Sequence, residues 1–93
     1  MKDNFWKVVH VGELQTGNKD GRDWAVREVV FEEDPDIPVQ YPQQIVGTLR
    51  GDKAKEFNLK EKERCSLAYS MNAREYNGRY YQQILVWDYT PTF

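Results

Sequence analysis

Two strands and the turn between them are legible in Asn72-Ala73-Arg74-Glu75-Tyr76-Asn77-Gly78-Arg79-Tyr80-Tyr81-Gln82-Gln83-Ile84-Leu85-Val86-Trp87-Asp88-Tyr89-Thr90. Asn77-Gly78 is a strong hairpin signal, because a type I′ turn needs positive φ at both central residues. Before it, Cys65, Leu67, Tyr69 and Met71 fall at alternate positions; after it the chain is aromatic and β-branched. Both halves read as long strands that return on each other. Arg74, Tyr76, Arg79, Tyr80 and Tyr81 crowd near the tip. Cations interleaved with flat rings on an exposed hairpin suit a ligand that carries phosphates and stackable bases.

Upstream of this hairpin, Lys60-Glu61-Lys62-Glu63 is a charged turn. Before it a short helix is predicted from Lys53 to about Phe57. Asp52 is expected to cap it by accepting from the free N–H groups of its first turn. Ala54 and Phe57, three apart, share one face, and a helix this short must dock on a core to persist. Residues 43–50 form a strand with Ile45, Gly47 and Leu49 in phase. Glu33-Asp34-Pro35-Asp36-Ile37-Pro38-Val39-Gln40-Tyr41-Pro42 holds three prolines and a run of acids, so it is an extended loop that repels a phosphate backbone. A strand runs from Trp24 to Glu32, with Arg27 on the side of Val29. Thr16-Gly17-Asn18-Lys19-Asp20-Gly21-Arg22-Asp23 consists of turn formers and reads as a solvated loop. Residues 5–15 are the first strand, and Gly12 within it marks a bulge or sharp bend.

The order is strand, strand, strand, short helix, strand, strand. Five strands escape long bare edges by closing into a barrel, and a helix between strands three and four is the order of the OB-fold. An SH3-like barrel and an open meander with a lid helix share parts of this pattern; strand count and helix position favour an all-β, five-stranded OB-fold barrel. With 93 residues, 1–93 is expected to be a single domain. The formal charge is −2, so a whole-molecule basic field is absent and nucleic-acid binding requires a local patch. No stretch approaches the ~20 apolar residues of a membrane span, and Met1-Lys2-Asp3-Asn4-Phe5-Trp6 lacks the features of a signal peptide. One cysteine, Cys65, excludes an internal disulfide and fits a reducing cytoplasm.

Several short segments form a pattern met elsewhere: Gly17 with Gly21-Arg22-Asp23-Trp24, Gly51-Asp52-Lys53, Phe57-Asn58-Leu59, and Arg74-Glu75-Tyr76-Asn77-Gly78-Arg79-Tyr80-Tyr81. From about Val8 to Tyr89 the chain resembles a small bacterial OB-fold family of uncharacterised function. That family is similar in turn to the core of bacterial single-stranded-DNA-binding proteins. Two departures stand out. A glycine is usual in the turn before strand four, where this chain has Lys62-Glu63. The closing Asp88-Tyr89-Thr90-Pro91-Thr92-Phe93 has neither the linker nor the acidic charge of a partner-recruiting tail.

OB-folds bind along the face of strands two and three, between the first loop and the loop joining strands four and five. On that plan Lys19, Arg22 and Trp24 stand at one rim and Arg74, Tyr76, Arg79, Tyr80 and Tyr81 at the other, with Arg27 and Arg50 between. The competing role for the rings is cross-strand packing, which favours the same residue types. Trp87 and Tyr89 are out of phase with Ile84 and Val86, so both faces of the last strand are apolar. The strand is therefore expected to be buried twice, by the barrel and by a second subunit or Phe5-Trp6, with Phe5, Trp6, Trp87 and Tyr89 as the candidate oligomer interface.

His10, alone beside valines, reads as structural rather than as a metal ligand, and Glu32, Glu33, Asp34 and Asp36 as a solvated acidic loop. Cys65 reads as a buried thiol without an activating base. No metal or cofactor is expected, and no enzyme. The function expected is non-catalytic binding of single-stranded nucleic acid, DNA before RNA, with little sequence preference, by a homo-oligomer (a dimer or tetramer). The alternative is an OB-fold interaction or assembly module without nucleic-acid binding.

Overall fold

Alternating apolar and polar residues make strands wherever one face can be buried. The computed structural model describes residues 5–35 and 39–92, so Asp36, Ile37, Pro38 and Phe93 lie outside the described residues, as do residues 1–4. The elements are β1 (Phe5–Val11), β2 (Gln15–Lys19), β3 (Arg22–Glu33), β4 (Gln44–Arg50), α1 (Asp52–Glu56), β5 (Arg64–Tyr76) and β6 (Arg79–Pro91). β1 pairs antiparallel with both β3 and β5, β3 with β4, and β5 with β6. β4 closes the ring on β6 in parallel, through Gly47–Ile84 and Thr48–Leu85. The strands β1, β3, β4, β6 and β5 thus form the closed OB-fold barrel, with the helix between its third and fourth members.

Inward-facing residues fill the cylinder. Val8, Val29, Phe31, Leu49, Cys65 and Val86 are almost wholly shielded from water. Gly47 faces inward too, where a Cβ would come within 2.6 Å of Val86 Cγ2 and 3.1 Å of the Phe31 ring, so its bare backbone leaves that space to the ring. Ala54 of α1, with Phe57 and Leu59 after it, plugs one end. Phe57 meets Phe31 edge-on at 6.4 Å and Tyr89 at 4.9 Å.

Three local expectations change. The segment expected as a loop at residues 16–23 is mostly strand: β2 pairs with the start of β3, and Asp20-Gly21 turns between them with φ of 54° and 77°. Positive φ at both turn residues is the same type I′ device as Asn77-Gly78. Asp52 makes no capping hydrogen bond; Gly51 occupies the N-cap, and Asp52 lies within the first turn. The expected irregularity of the first strand is divided between two places. Val9 is the extra residue opposite β3, since Val8 pairs with Phe31 and His10 with Val30. Gly12 is where the chain bends away. Its N–H donates to the Glu28 carbonyl at 2.8 Å, and a Cβ there would come within 2.6 Å of that oxygen.

The long connection after β3 is tied at its base. Glu33 N–H donates to the Gln43 carbonyl, and Arg64 donates to the Asp34 carbonyl at 2.8 Å. Lys62, standing where a glycine is usual, does adopt a positive φ of 76°, and its N–H donates to the Val8 carbonyl at 2.7 Å.

Candidate functional site

β5 and β6 run past the barrel as a two-stranded arm on which every residue from Ser70 to Gln82 is exposed. The register assigns each residue to a face. Arg74 pairs with Tyr81, Tyr76 with Arg79, Asn72 with Gln83 and Ser70 with Leu85. Glu75 pairs with Tyr80, Ala73 with Gln82 and Met71 with Ile84. Ile84 is buried, so the Glu75–Tyr80 face continues the barrel interior, and the Arg74–Tyr81 face continues its outer wall. Arg74, Tyr76, Arg79 and Tyr81 thus share one face, with opposite partners roughly 5 Å apart; Tyr80 is on the other. Tyr76, Tyr80 and Tyr81 are all more than half exposed. Among the described residues no carboxylate lies within ion-pairing distance of Arg74 or Arg79. Glu75, their neighbour in sequence, points to the opposite face.

The outer wall leads from the arm across β6, β4 and β3. Leu85, Thr48 and Glu28 stand side by side on it, flanked by the Val30–Val46 and Val26–Arg50 pairs. Arg50 is exposed here and has no ion-pair partner among the described residues. Because β3 runs antiparallel to β4 and β6, Trp24 lies four residues from Glu28 in one direction and Tyr81 four residues from Leu85 in the other. The two rings therefore stand at opposite ends of one wall, roughly 25 Å apart measured along the strands.

The far end is the β2–β3 hairpin. Lys19, Asp20, Arg22, Asp23 and Trp24 line one shallow depression there. Thr16, Gly17, Asn18, Asp23, Trp24 and Lys55 line a second. The Asp23 carboxylate accepts from Asn18 Nδ2 at 2.9 Å and holds no cation, so Lys19 and Arg22 have no ion-pair partner among the described residues.

Not every residue expected at the site joins these two groups. Arg27 faces inward at the plugged end of the barrel, in phase with Ala25 and Val29, and its Nη1 donates to the Phe57 carbonyl at 3.1 Å. It is half-buried and ties the helix end to β3. Of the residues expected at an oligomer interface, Trp6 is 8 % exposed and meets Tyr69 edge-on inside the barrel. Tyr89 leans on Phe57, donates its hydroxyl to the Glu56 carbonyl at 3.2 Å, and has its phenol pKa raised by burial. Phe5 lies under the Arg64 guanidinium, 4.1 Å from it. Trp87 alone of the four is widely exposed. Trp87 faces outward by alternation with Val86, and what parts Tyr89 from it is a bulge: Ala68 pairs with Asp88 and Tyr69 with Val86, which leaves Trp87 as the extra residue. The bulge shifts the phase of the strand, so Tyr89 returns to the inside.

His10 is exposed, with Nδ1 3.9 Å from the Glu61 carboxylate. Burial pushes the Cys65 thiol up to about 11. Glu32 accepts from Gln44 and pairs with Lys7 at 3.3 Å; the Gln44 bond, then Lys7, hold its carboxyl below the usual range. Among the described residues no group of three or more His, Cys, Asp or Glu is placed to hold a metal ion. Nor does any described helix have the length and apolarity to cross a membrane.

The sequence profile of the family described as Domain of unknown function (DUF3127) matches residues 6–89. The chain belongs to this family. Comparisons with curated proteins and with solved structures return no match. Two features of the DUF3127 domain have little or no signature in the sequence. Gly17 and Lys55 border Trp24, although only the Asp20-Gly21 dipeptide could have shown that a hairpin brings Gly17 across from it. The bulge at Trp87 has no mark in the sequence at all.

Proposed function

We propose that this domain binds single-stranded nucleic acid, DNA before RNA, without catalysing a reaction and with little base preference. The strand lies on the outer wall, and the arm is its principal contact. The observation that carries this reading is the pairing of Arg74 with Tyr81 and of Tyr76 with Arg79 on one exposed face. Unpaired guanidinium groups attract phosphates, and rings accept any base by stacking, worth roughly 1–3 kcal/mol per base. The sequence resemblance to the core of single-stranded-DNA-binding proteins supports the same reading. So does Arg50 on the wall between the arm and Trp24, whereas Arg27 is given a structural role instead. The buried, lone Cys65 agrees with a reducing cytoplasm as the setting.

The test is a titration of labelled oligo-dT by fluorescence anisotropy at two salt concentrations, with protein up to about 100 μM, where weak non-specific binding is visible. Replacing Arg74 and Arg79 with Ala should flatten the slope of log K against log salt by about 0.7 for each phosphate no longer neutralised. Tyr81→Ala should weaken binding by roughly 1–3 kcal/mol. No salt-sensitive binding by the unaltered protein would end the reading.

One observation favours a second reading, in which the wall is an assembly surface of a homo-oligomer. Val46 and Trp87 are half-exposed or more on it, an apolar group that a second subunit would cover. Light scattering decides this. An oligomer whose mass is unchanged by Trp87→Ser would remove the argument.

A further inference from the structure

The indole of Trp24 does not stand free on the β2–β3 hairpin. Gly17 is its partner directly across the strands, and the ring lies over the glycine: a Cβ on Gly17 would come within 2.5 Å of Cζ2, 2.6 Å of Cε2 and 2.8 Å of Nε1. Trp24 is nonetheless 45 % exposed. One side of the ring is therefore seated on backbone while the rest meets water, between two depressions, one lined by Lys19 and Arg22 together with Asp20 and Asp23, the other by Lys55 of α1 together with Asp23. An aromatic platform fixed in one orientation loses little conformational freedom when a flat ligand stacks on it. Asp23 is engaged by Asn18, and none of the three cations is held in an ion pair among the described residues. Lys19, Arg22 and Lys55 thus stay free to meet the anions that join a ligand's flat groups, against the opposing charge of Asp20 and Asp23.

We infer that Gly17 is a positioning residue, whose missing side chain lays Trp24 down as a second base-stacking station flanked by Lys55. The station is engaged only by a strand long enough to reach it from the arm. This rests on the nucleic-acid reading above and adds to it a ligand-length requirement and two residues, Gly17 and Lys55. The arm and Trp24 stand at opposite ends of the wall, roughly 25 Å apart along the strands. A short oligonucleotide occupies the arm alone; a longer one gains the second station as an intramolecular contact.

A purely structural role competes with this. A ring laid over a glycine on an edge strand also stabilises a hairpin, and β2 is an edge strand. The two roles separate by experiment, because the atoms a new Cβ would meet belong to the far end of the indole and not to backbone. Gly17→Ala and Gly17→Val therefore move the ring while the strands stay paired.

Anisotropy titrations with oligo-dT of about 4 and about 16 nucleotides, lengths that bracket single OB-fold sites, provide the test. Trp24→Ala and Gly17→Val should each weaken binding of the long oligonucleotide roughly tenfold and change the short one by less than about twofold. In the Trp24→Ala background, Gly17→Val should have no further effect, since it acts through the ring. Lys55→Ala should lower the salt slope for the long oligonucleotide only. Thermal unfolding of each variant reports the structural role, and Gly17→Ala serves if Gly17→Val unfolds. If the protein binds the long oligonucleotide and Trp24→Ala leaves that affinity unchanged, the station is overturned while the arm reading stands. Full additivity of the two substitutions would overturn the positioning role. If the unaltered protein binds neither length, both readings fall.

Discussion

Leu67 and Met71 stand four residues apart on the same face of β5, yet Leu67 is 4 % exposed and Met71 63 %. Both are unbranched at Cβ and similar in size, and both pair antiparallel with β6, on either side of the Trp87 bulge. What separates them is the third strand. Among the described residues, β5 pairs with β1 at residues 64–66, and β6 pairs with β4 at Ile84 and Leu85. From Ser70 to Gln82 the described residues form a ribbon of two strands whose side chains are all exposed, a state that is marginal in water by itself. One hairpin thus has two halves: its base closes a barrel, and its distal half holds its side chains out in water, where the proposed ligand would meet them.

The widest gap between the halves should appear in equilibrium unfolding. Leu67→Ala removes buried methyl groups from a filled interior and should cost about 2–5 kcal/mol. Met71→Ala, on the same face, should stay within about 0.5 kcal/mol. Urea midpoints at constant m-value measure both. Equal costs would mean that the arm belongs to the cooperative core and that the division is wrong.

Thiol titration sharpens the same contrast. Cys65 lies in the barrel half, and burial raises its pKa from an ordinary 9.0 to about 11. The unfolded chain therefore gives up this proton first. Stability from the neutral thiol is complete below about pH 9 and is lost as pH rises through about 11, by on the order of 3 kcal/mol. Cys65→Ala should remove that alkaline loss. A thiol placed on the arm by Met71→Cys should react at once with a disulfide reagent at pH 8, while Cys65 waits for the barrel to open.

The turn at the arm tip gives a smaller and more local effect. Gly78 has φ of 79°, which an L side chain rarely adopts, so Gly78→Ala should cost about 1 kcal/mol. The cost should fall on the arm. Hydrogen exchange of amides 72–82 should speed up, with barrel amides unchanged.

How much of this contrast was legible beforehand follows from what each residue reports. Asn77-Gly78 declared its turn, and Ile45, Gly47 and Leu49 declared an inward face, because turn geometry and alternation are local properties. The strand order and the helix between the third and fourth barrel strands followed from counting. The β2–β3 hairpin was also within reach, since Asp20-Gly21 is as strong a signal as Asn77-Gly78; the polar run around it concealed a strand that buries almost nothing. The bulges at Val9 and Trp87 were not legible. Each exists because closing the ring forces one strand to bend, a property of the assembled barrel and not of any short segment. That is why Tyr89 reads as outward in sequence and stands inside. The site residues divide in the same way: the faces of Arg74, Tyr76, Arg79 and Tyr81 follow from alternation about a known turn, whereas the inward aim of Arg27 required knowing where the helix ends.

The smallest effect belongs to the barrel exterior, at the ion pair between α1 and β6. Lys53 Nζ approaches Asp88 Oδ1 at 3.0 Å and lies 5.8 Å from the Tyr89 ring centroid. The hydrogen bond from Lys53 holds the Asp88 carboxyl below its ordinary 3.8, and the same bond holds the Lys53 ammonium above 10.5. A depressed carboxyl contributes stability above 3.8 that is lost as pH falls through its folded value. A raised ammonium contributes below 10.5 and loses it as pH rises. The pair thus acts across the neutral range, yet water reaches both groups and salt screens them. Lys53→Met should therefore leave the urea midpoint at pH 7 almost unchanged, and any shift should disappear in high salt. The helix should stay docked, because Ala54 and Phe57 remain buried whether or not the charge is present. If Lys53→Met instead destabilised the protein as much as Leu67→Ala, the helix would be held by its exposed charge and not by the residues it buries. The stability of the barrel end would then have to be reassigned from the interior to the rim.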